Sequence, residues 1–332
     1  MPDAIATRRD LPPVWFERAI LPELVPEVAA SVTILGPSTA AEPYAGLTTA
    51  LGALASTLRY DAMLMDHAPR LRLIARTGIG YDRVDVAEAT RRGIAVCNTP
   101  DAPTISTAEH AITLMLMVAK NVKLAEARLR EGGGDDYARH EAIALEGKTL
   151  GLVGLGRIAR RVARVGEGLG MRVAAFDPYL HESAFPPSIA RAASLAELLG
   201  VADVLSLHVP LSDATRGMMG ADQFAQMKRG AVFVNTARGG LVDADALLEA
   251  LDGGRLFGAG LDVTEPEPLP TDHPLLHRDD VVVTPHIASA TSEAKVRIFR
   301  AAFDQVVHGL AGQRPAHLVN PEVWDDETGP GT

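Results

Sequence analysis

A single cysteine, Cys97, stands among 332 residues. No internal disulfide can form, and no metal pattern can be built on it. Long apolar runs are missing too. The longest apolar stretch, Ala111–Ala119, has nine residues against the roughly 20 that a membrane helix needs. The first residues, MPDAIATRRDLPP, lack an apolar signal core, so export is not expected and a cytoplasmic protein is. Positive charge is in deficit: 32 Lys and Arg against 42 Asp and Glu leave a net charge of −10. A broad nucleic-acid-binding face is therefore not expected. An anionic small molecule would therefore be held by a local cluster of donors and not by the overall field. Aromatic residues make up only 5%.

What is present is ordinary for a soluble enzyme. Apolar residues account for 47% and charged residues for 22%, which excludes a disordered chain, and the length suits two domains. Short β-branched runs alternate with helical patterns, as in parallel sheets covered by helices. An early unit reads as a strand at 71–76, the loop Thr77-Gly78-Ile79-Gly80-Tyr81-Asp82, a helix near 85–92 and a strand at 94–97. Two prolines in 98–104 mark a crossing between domains. One long helix is expected from Ser106 to Arg130, with Ser106 or Thr107 near its cap, ended by the glycines at 132–134. A second series begins at Leu150, with strands expected at 149–153, 172–176, 203–207, 231–235, 257–261 and 281–283, and a helix at 292–310. The tail 325–332 is expected to be disordered.

Residues 150–177, LGLVGLGRIARRVARVGEGLGMRVAAFD, carry a dinucleotide fingerprint. An apolar strand enters Gly154-Leu155-Gly156-Arg157-Ile158-Ala159, and a helix follows with Ile158, Val162, Val165 and Leu169 on one face. A second strand ends on Asp177, 23 residues after Gly154. Gly154 permits the tight turn, and Gly156 lets the backbone approach a pyrophosphate at the helix N-terminus. Asp177 would accept hydrogen bonds from the adenosine ribose and repel a 2′-phosphate. Pro178 and Tyr179 follow it with no arginine, so NAD is favoured over NADP. The alternative, a glycine turn with no ligand, is disfavoured because strand, helix and terminal acid all fall where a dinucleotide requires them.

Three further segments end apolar strands. Arg238 follows Val232-Phe233-Val234-Asn235-Thr236-Ala237, Glu267 lies in GAGLDVTEPEPLP (258–270), and His286 follows Val283-Thr284-Pro285. Hydride transfer from an alcohol needs a group that takes the hydroxyl proton, for which an imidazole is suited near neutral pH. A carboxylate on its other nitrogen would set the tautomer, and a guanidinium can bind a carboxylate through two bonds. Each residue taken alone has a plain structural reading. Only their common place at strand ends of a nucleotide-binding sheet suggests a site, and Glu265, two residues from Glu267, could take its role.

The stretches LEGKTLGLVGLGRIA (145–159), ADVLSLHVPLSDATRGMM (202–219), FVNTARGGLVDADALLEAL (233–251), GAGLDVTEPEPLP and VTPHIAS (283–289) resemble the D-isomer-specific 2-hydroxyacid dehydrogenase family. So do ARTGIGYDRVDVAEATRRGIAVCNTP (75–100) and STAEHAITLMLMVAKN (106–121). The resemblance covers about residues 70–310 and is closest to the phosphoglycerate dehydrogenase branch, with glyoxylate/hydroxypyruvate reductases near it. It implies an α/β fold of two Rossmann-like domains, each a mostly parallel sheet flanked by helices, with NAD in the cleft between them. A substrate-binding domain would comprise 1–104 plus 291–332, and an NAD-binding domain 105–290. The resemblance makes His286 the acid/base, Glu267 its carboxylate partner and Arg238 the substrate arginine. It makes Thr77-Gly78-Ile79-Gly80 the loop on the substrate carboxylate, whose exposed amides would form an anion nest. Gly154, Gly156, Arg157, Ile158, Asp177, His208, Val209, Pro210, Thr215, Thr236, Ala237, Asp262 and Thr107 would line the cofactor, His208 as a wall and not a base.

The substrate implied is a small anionic 2-hydroxy or 2-keto acid. D-3-phosphoglycerate would need added positive charge, for which Arg59, Arg76 and Arg83 are candidates. No metal is expected. No serine-responsive C-terminal domain is expected either, since the chain ends at 332. The breadth of the apolar run Ile112, Leu114, Met115, Leu116, Met117 and Val118 suggests a homodimer through the interdomain helix. A non-catalytic NAD(H)-sensing regulator is the competing class; the sequence offers it no partner-binding extension and no basic face.

Overall fold

The computed structural model describes residues 11–133, 137–325 and 329–330. The chain divides into two compact units, Met1–Pro103 with Ser292–Thr332, and Thr104–Thr291.

The first unit runs β1 (Pro13–Phe16), α1 (Val25–Ser31), β2 (Thr33–Leu35), β3 (Gly52–Ala55), α2 (Ala62–Asp66), β4 (Leu73–Arg76), α3 (Val86–Arg91) and β5 (Ala95–Cys97), and regains the chain at the helix Ser292–Leu310. Its strands form one parallel sheet in the order β2-β1-β3-β4-β5. Successive side chains of a strand face opposite ways, so each strand feeds two cores. Trp15, Ala53, Ile74 and Val96 pack with Leu64 and Met65 of α2 and Ala89 of α3. Val14, Phe16, Leu54 and Leu73 pack with Val28 of α1 and with Ala302, Phe303 and Val306. Phe16 lies 6.0 Å from the Phe299 ring and 6.3 Å from that of Phe303, which ties the late helix to the sheet. Asp61 and Asp85 cap α2 and α3 by accepting the amides of Leu64 and Glu88. Cys97 is buried here, and burial pushes its thiol up to about 12.

The second unit runs α4 (Thr104–Ala119), α5 (Val122–Arg130), β6 (Thr149–Val153), α6 (Arg157–Gly168), β7 (Arg172–Phe176), β8 (Ile189–Arg191), α7 (Leu195–Val201), β9 (Val204–Leu207), α8 (Ala221–Gln226), β10 (Ala231–Asn235), α9 (Ala244–Asp252), β11 (Leu256–Leu261) and β12 (Val281–Val283). Its parallel sheet has the order β12-β11-β10-β9-β6-β7-β8. Both faces are covered, so the strands read as unbroken apolar runs. Phe233 enters a core with Leu198, Phe224 and Leu247, whereas Val232 and Val234 enter one with Leu114, Met115, Ala159 and Val162. The strand order reverses between β6 and β9, and ligands of open α/β sheets bind outside the carboxyl ends of such strands.

Four expected strands coincide with β6, β7, β10 and β12, and the two at 203–207 and 257–261 shift by one residue. The single long helix at 106–130 is corrected. Because Pro103 precedes it, the helix starts at Thr104, leaving Ser106 and Thr107 buried in its first turn. It then breaks at Asn121, which takes a left-handed φ of 48° that asparagine tolerates better than most residues, and whose amide donates to Glu141 O. The premise drawn from the apolar run also changes. Ile112, Leu114, Met115 and Val118 are buried within this unit's own core, so their breadth is explained without a partner. At the end of the chain, Trp324–Asp325 pairs antiparallel with Gly329–Pro330, where disorder was expected; glycine and proline suit turns as well as coil. The rest of that expectation, 326–328 and 331–332, lies outside the described residues. Among the described residues no helix is long and apolar enough to cross a membrane.

Candidate active site

The glycine turn is built at the reversal of the second sheet. Gly154 follows β6 at φ +86°, and a Cβ there would lie 2.8 Å from His208 O and 2.9 Å from Val209 Cγ1. Only glycine fits this left-handed position against β9's exit. Gly156 has no heavy atom within 4 Å of where a Cβ would stand, which is the open approach a pyrophosphate requires at the start of α6. Ala159, fully buried, packs the helix close to the sheet, with Ile158 half-buried against the same core. Arg157 opens the helix. Asp177, at the exit of β7, accepts from Leu155 N (3.0 Å, Oδ2) and Tyr179 N (3.0 Å, Oδ1), so its carboxylate is held at the mouth of the turn.

The neighbouring exits supply further walls. His208 Nε2 lies 2.9 Å from Ser206 Oγ, and burial pushes the imidazole down to about 4. It is neutral near pH 7. Thr215 Oγ1 donates to Pro210 O at 2.7 Å and closes the 210–215 loop. Thr236 Oγ1 is buried without a hydrogen-bond partner among the described residues, an uncommon state for a buried hydroxyl that suits a group lining a polar ligand. The open cradle at Gly156, the acid at Asp177 and this unpartnered hydroxyl fit a dinucleotide. Thr107 is buried in the first turn of α4. Among the described residues no cluster of three His, Cys, Asp or Glu side chains is arranged to hold a metal ion.

Arg238, Glu267 and His286 follow β10, β11 and β12, three neighbouring strands. Asn235, fully buried, shapes the first exit: its amide donates to Arg238 O at 2.8 Å and its carbonyl accepts Ala237 N at 3.0 Å. Arg238, half-buried, donates from Nη1 to Ala237 O at 2.7 Å. Gly239 then allows a close approach, because a Cβ there would stand 2.0 Å from the Thr264 carbonyl carbon. The acidic loop after β11 therefore lies directly against the arginine turn. On that loop Glu267 Oε1 is 2.8 Å from His286 Nδ1, with the two side chains 29% and 39% exposed. Glu265 instead pairs with Arg216 at 3.1 Å. The geometry thus separates two acids that spacing left interchangeable.

Beneath His286 sits Asp262, 1% exposed. Its Oδ1 accepts from Thr284 Oγ1 (2.6 Å) and Ile287 N (2.8 Å), its Oδ2 from Ala288 N (2.8 Å), and its backbone carbonyl from His286 N (2.7 Å). His110 of α4 reaches Thr284 Oγ1 at 2.9 Å and Asp262 Oδ1 at 3.3 Å. Burial acts to raise the Asp262 carboxyl, but the hydrogen bonds from His110, Thr284 and the two amides outweigh it and hold the group below the usual carboxylate range. Sequence reading missed His110: its partner Thr284 lies 174 positions away, and a lone histidine on an apolar helix carries no signal.

The loop Thr77–Gly80 belongs to the first unit. Thr77 N and Oγ1 donate to Ala55 O, both at 2.8 Å, and Gly78 N donates to Arg76 O at 3.0 Å. Among the described residues the amides of Ile79 and Gly80 donate no such bond. Arg76 donates to Thr77 O, Arg83 to Thr57 O at 2.9 Å, and Arg59 is 81% exposed, 3.9 Å from Asp61. A second residue escaped the sequence reading. Glu17, 4% exposed at the end of β1, accepts the amides of Ser56, Thr57 and Leu58 and the Thr57 hydroxyl. This sheet reverses between β1 and β3, so Glu17 fills its switch point with the chain's own carboxylate.

Residues 112–288 match the family model described as D-isomer specific 2-hydroxyacid dehydrogenase, NAD binding domain. A glyoxylate reductase of Korarchaeum cryptofilum is 43% identical over 267 residues, 79% of this chain and 80% of that protein. A D-3-phosphoglycerate dehydrogenase of Archaeoglobus fulgidus is 40% identical over 265 residues, 80% of this chain and 50% of that one. The chain spans about half the length of the phosphoglycerate dehydrogenases it matches. Among solved structures, the D-lactate dehydrogenase of Aquifex aeolicus complexed with NAD and lactic acid is similar at a TM-score of 0.82 and 30% identity, covering 92% of this chain and 98% of that one.

Proposed function

Because this chain belongs to the D-isomer-specific 2-hydroxyacid dehydrogenase family, NAD-dependent oxidoreductases of the CH–OH group, we propose that it interconverts a small D-2-hydroxy acid and its 2-keto acid through His286, Glu267 and Arg238. The observation that carries this reading is the 2.8 Å contact of His286 Nδ1 with Glu267 Oε1. NAD held by the Gly154–Ile158 turn and Asp177 would supply the hydride acceptor for C2 of the substrate, and NADH the donor in the reverse direction. The Glu267 carboxylate can only accept, so Nδ1 carries a proton and Nε2 keeps the lone pair that takes the hydroxyl proton. In the reverse direction Nε2–H gives that proton to the carbonyl oxygen, and Glu267 stabilises the imidazolium in between. Arg238 binds the substrate carboxylate and polarises its carbonyl through the guanidinium fork. The loop Thr77–Gly80 contributes through the amides of Ile79 and Gly80. Asp177 holds the adenosine ribose. Asp177→Ala is expected to lower kcat/KM for NADH by about 10–100-fold, the worth of a charge-assisted hydrogen bond, with a smaller loss for NADPH; equal losses for both would remove the ribose role.

The substrate tail is proposed to carry no second anion, as in glyoxylate or hydroxypyruvate. Glu17 supports this by filling the switch point beside the Thr77 loop: Ala55 O holds Thr77, and the next residue, Ser56, donates to Glu17. D-3-phosphoglycerate is the second reading, favoured by Arg18 and Arg83, whose guanidinium groups both reach Thr57. The test follows NADH oxidation with glyoxylate, hydroxypyruvate, phosphohydroxypyruvate, pyruvate and a branched 2-keto acid, with NADPH as control. A higher kcat/KM for the unphosphorylated acids is expected. Preference for phosphohydroxypyruvate would select the second reading, and silence with NADH still bound would favour a sensor.

The assembly is proposed to be a homodimer. Its support is α5, which buries none of its residues and exposes Val122 and Leu129, with Tyr137 exposed shortly after it. Light scattering at micromolar concentration should give twice the chain mass; a monomer mass would overturn the assembly.

A further inference from the structure

We propose that His110 is a positioning residue for the catalytic turn, fixing through Thr284 and Asp262 the backbone from which His286 projects. The inference rests on the reading of His286 as the acid/base.

His286 adopts φ +54°, a left-handed conformation that is unfavourable for a residue with a Cβ. Such a conformation persists only where the surroundings over-determine it. Here three consecutive amides, those of His286, Ile287 and Ala288, all end on Asp262, through its carbonyl, Oδ1 and Oδ2 respectively. The turn is therefore as well placed as Asp262 is. A buried carboxylate needs its remaining oxygen lone pairs filled, and Thr284 Oγ1 and His110 supply that.

The direction of this chain of bonds follows from counting protons. The Thr284 hydroxyl has one proton, and the carboxylate at 2.6 Å can only accept, so that proton goes to Asp262. The Thr284 oxygen then accepts, and the group 2.9 Å away is His110 Nε2. His110 thus carries its proton on Nε2 and donates toward Thr284, with Asp262 Oδ1 at 3.3 Å as a second, longer acceptor. His110 stands on α4, while Asp262 follows β11 and Thr284 follows β12. The bonds accordingly tie the catalytic turn to a helix packed across the sheet. Without them the Asp262 carboxylate could rotate, and with it the two amides it holds, those of Ile287 and Ala288, which directly follow His286. A shift of about 1 Å in a catalytic group can cost of order 100-fold in rate.

Three variants test this in the full-length protein: His110→Leu, which fills the space without a donor; His110→Gln, which keeps an N–H; and Thr284→Val, which removes the relay hydroxyl. With the best keto acid of the panel, His110→Leu and Thr284→Val are each expected to lower kcat by about 10–100-fold. KM and the NADH Kd from fluorescence titration should stay within about twofold. His110→Gln should recover most of kcat. Unchanged kcat in both His110→Leu and Thr284→Val would overturn the positioning role. Equal losses in the Leu and Gln variants, or a parallel loss of NADH binding, would reduce His110 to a packing residue and overturn it too. A wild-type protein silent on every keto acid would instead overturn the reaction itself, so the two failures are distinguishable.

Discussion

His286→Ala is expected to lower kcat by about 10²–10⁴-fold, the usual worth of general acid/base catalysis, while NADH binding persists. The two effects separate because of where the groups stand. His286 follows β12 at one edge of the sheet, whereas the glycine turn and Asp177 follow β6 and β7 on the far side of the strand reversal. The substitution also spares the His286 turn itself, since the bonds to Asp262 are made by backbone amides. Single-turnover reduction of a keto acid, read beside NADH fluorescence titration, checks both halves. Turnover within threefold of wild type would remove His286 from the chemistry; loss of NADH binding would mean that the variant had damaged the cofactor site.

Arg238 should show the next largest effect. On the proposed reading Arg238→Ala removes one partner of a charged pair with the substrate, and such truncations cost about 2–5 kcal/mol, or roughly 30- to several-thousand-fold in kcat/KM. Arg238→Lys keeps the charge but loses the planar fork, so its loss should be intermediate and fall mainly on KM. The backbone at this position keeps a clamp when the side chain's own bond to Ala237 O is removed: Asn235 holds Arg238 O and Ala237 N from within the core. A folded variant with unchanged NADH affinity is therefore expected. If the lysine variant matched wild type across the keto-acid panel, two-bond recognition by Arg238 would be wrong.

Much of this molecule could be read along the chain. The parallel strands of the second unit are buried on both faces and announce themselves as apolar runs, which is why β6, β7, β10 and β12 lie where their pattern puts them. The short edge strand β8 went unread, because two of its three residues are exposed. The glycine turn was legible because its requirement is local: a positive φ at Gly154 and a bare backbone at Gly156 are needs of single positions. The helix break at Asn121 was not, because it depends on a bond to Glu141, 20 residues on. Nor did the breadth of α4's apolar face say what covers it, since burial against a partner and burial against α6 and β11 leave the same pattern.

The candidate site divides the same way. The sequence by itself determined the fold class, the dinucleotide turn and the residue types delivered to the strand ends, because apolar periodicity, glycine conformation and strand exits are set by near neighbours. Tertiary structure alone decided that Glu267 and not Glu265 meets His286. It alone also decided that Asp262 is turned inward under the His286 turn, that His110 stands behind it, and that Glu17 occupies the first sheet's switch point. Each of those is a hydrogen bond between side chains, or between side chain and backbone, brought together across 19 to 174 positions. Spacing along the chain carries no information about such pairs, and only the packing of strands and helices brings their atoms within 3 Å or so.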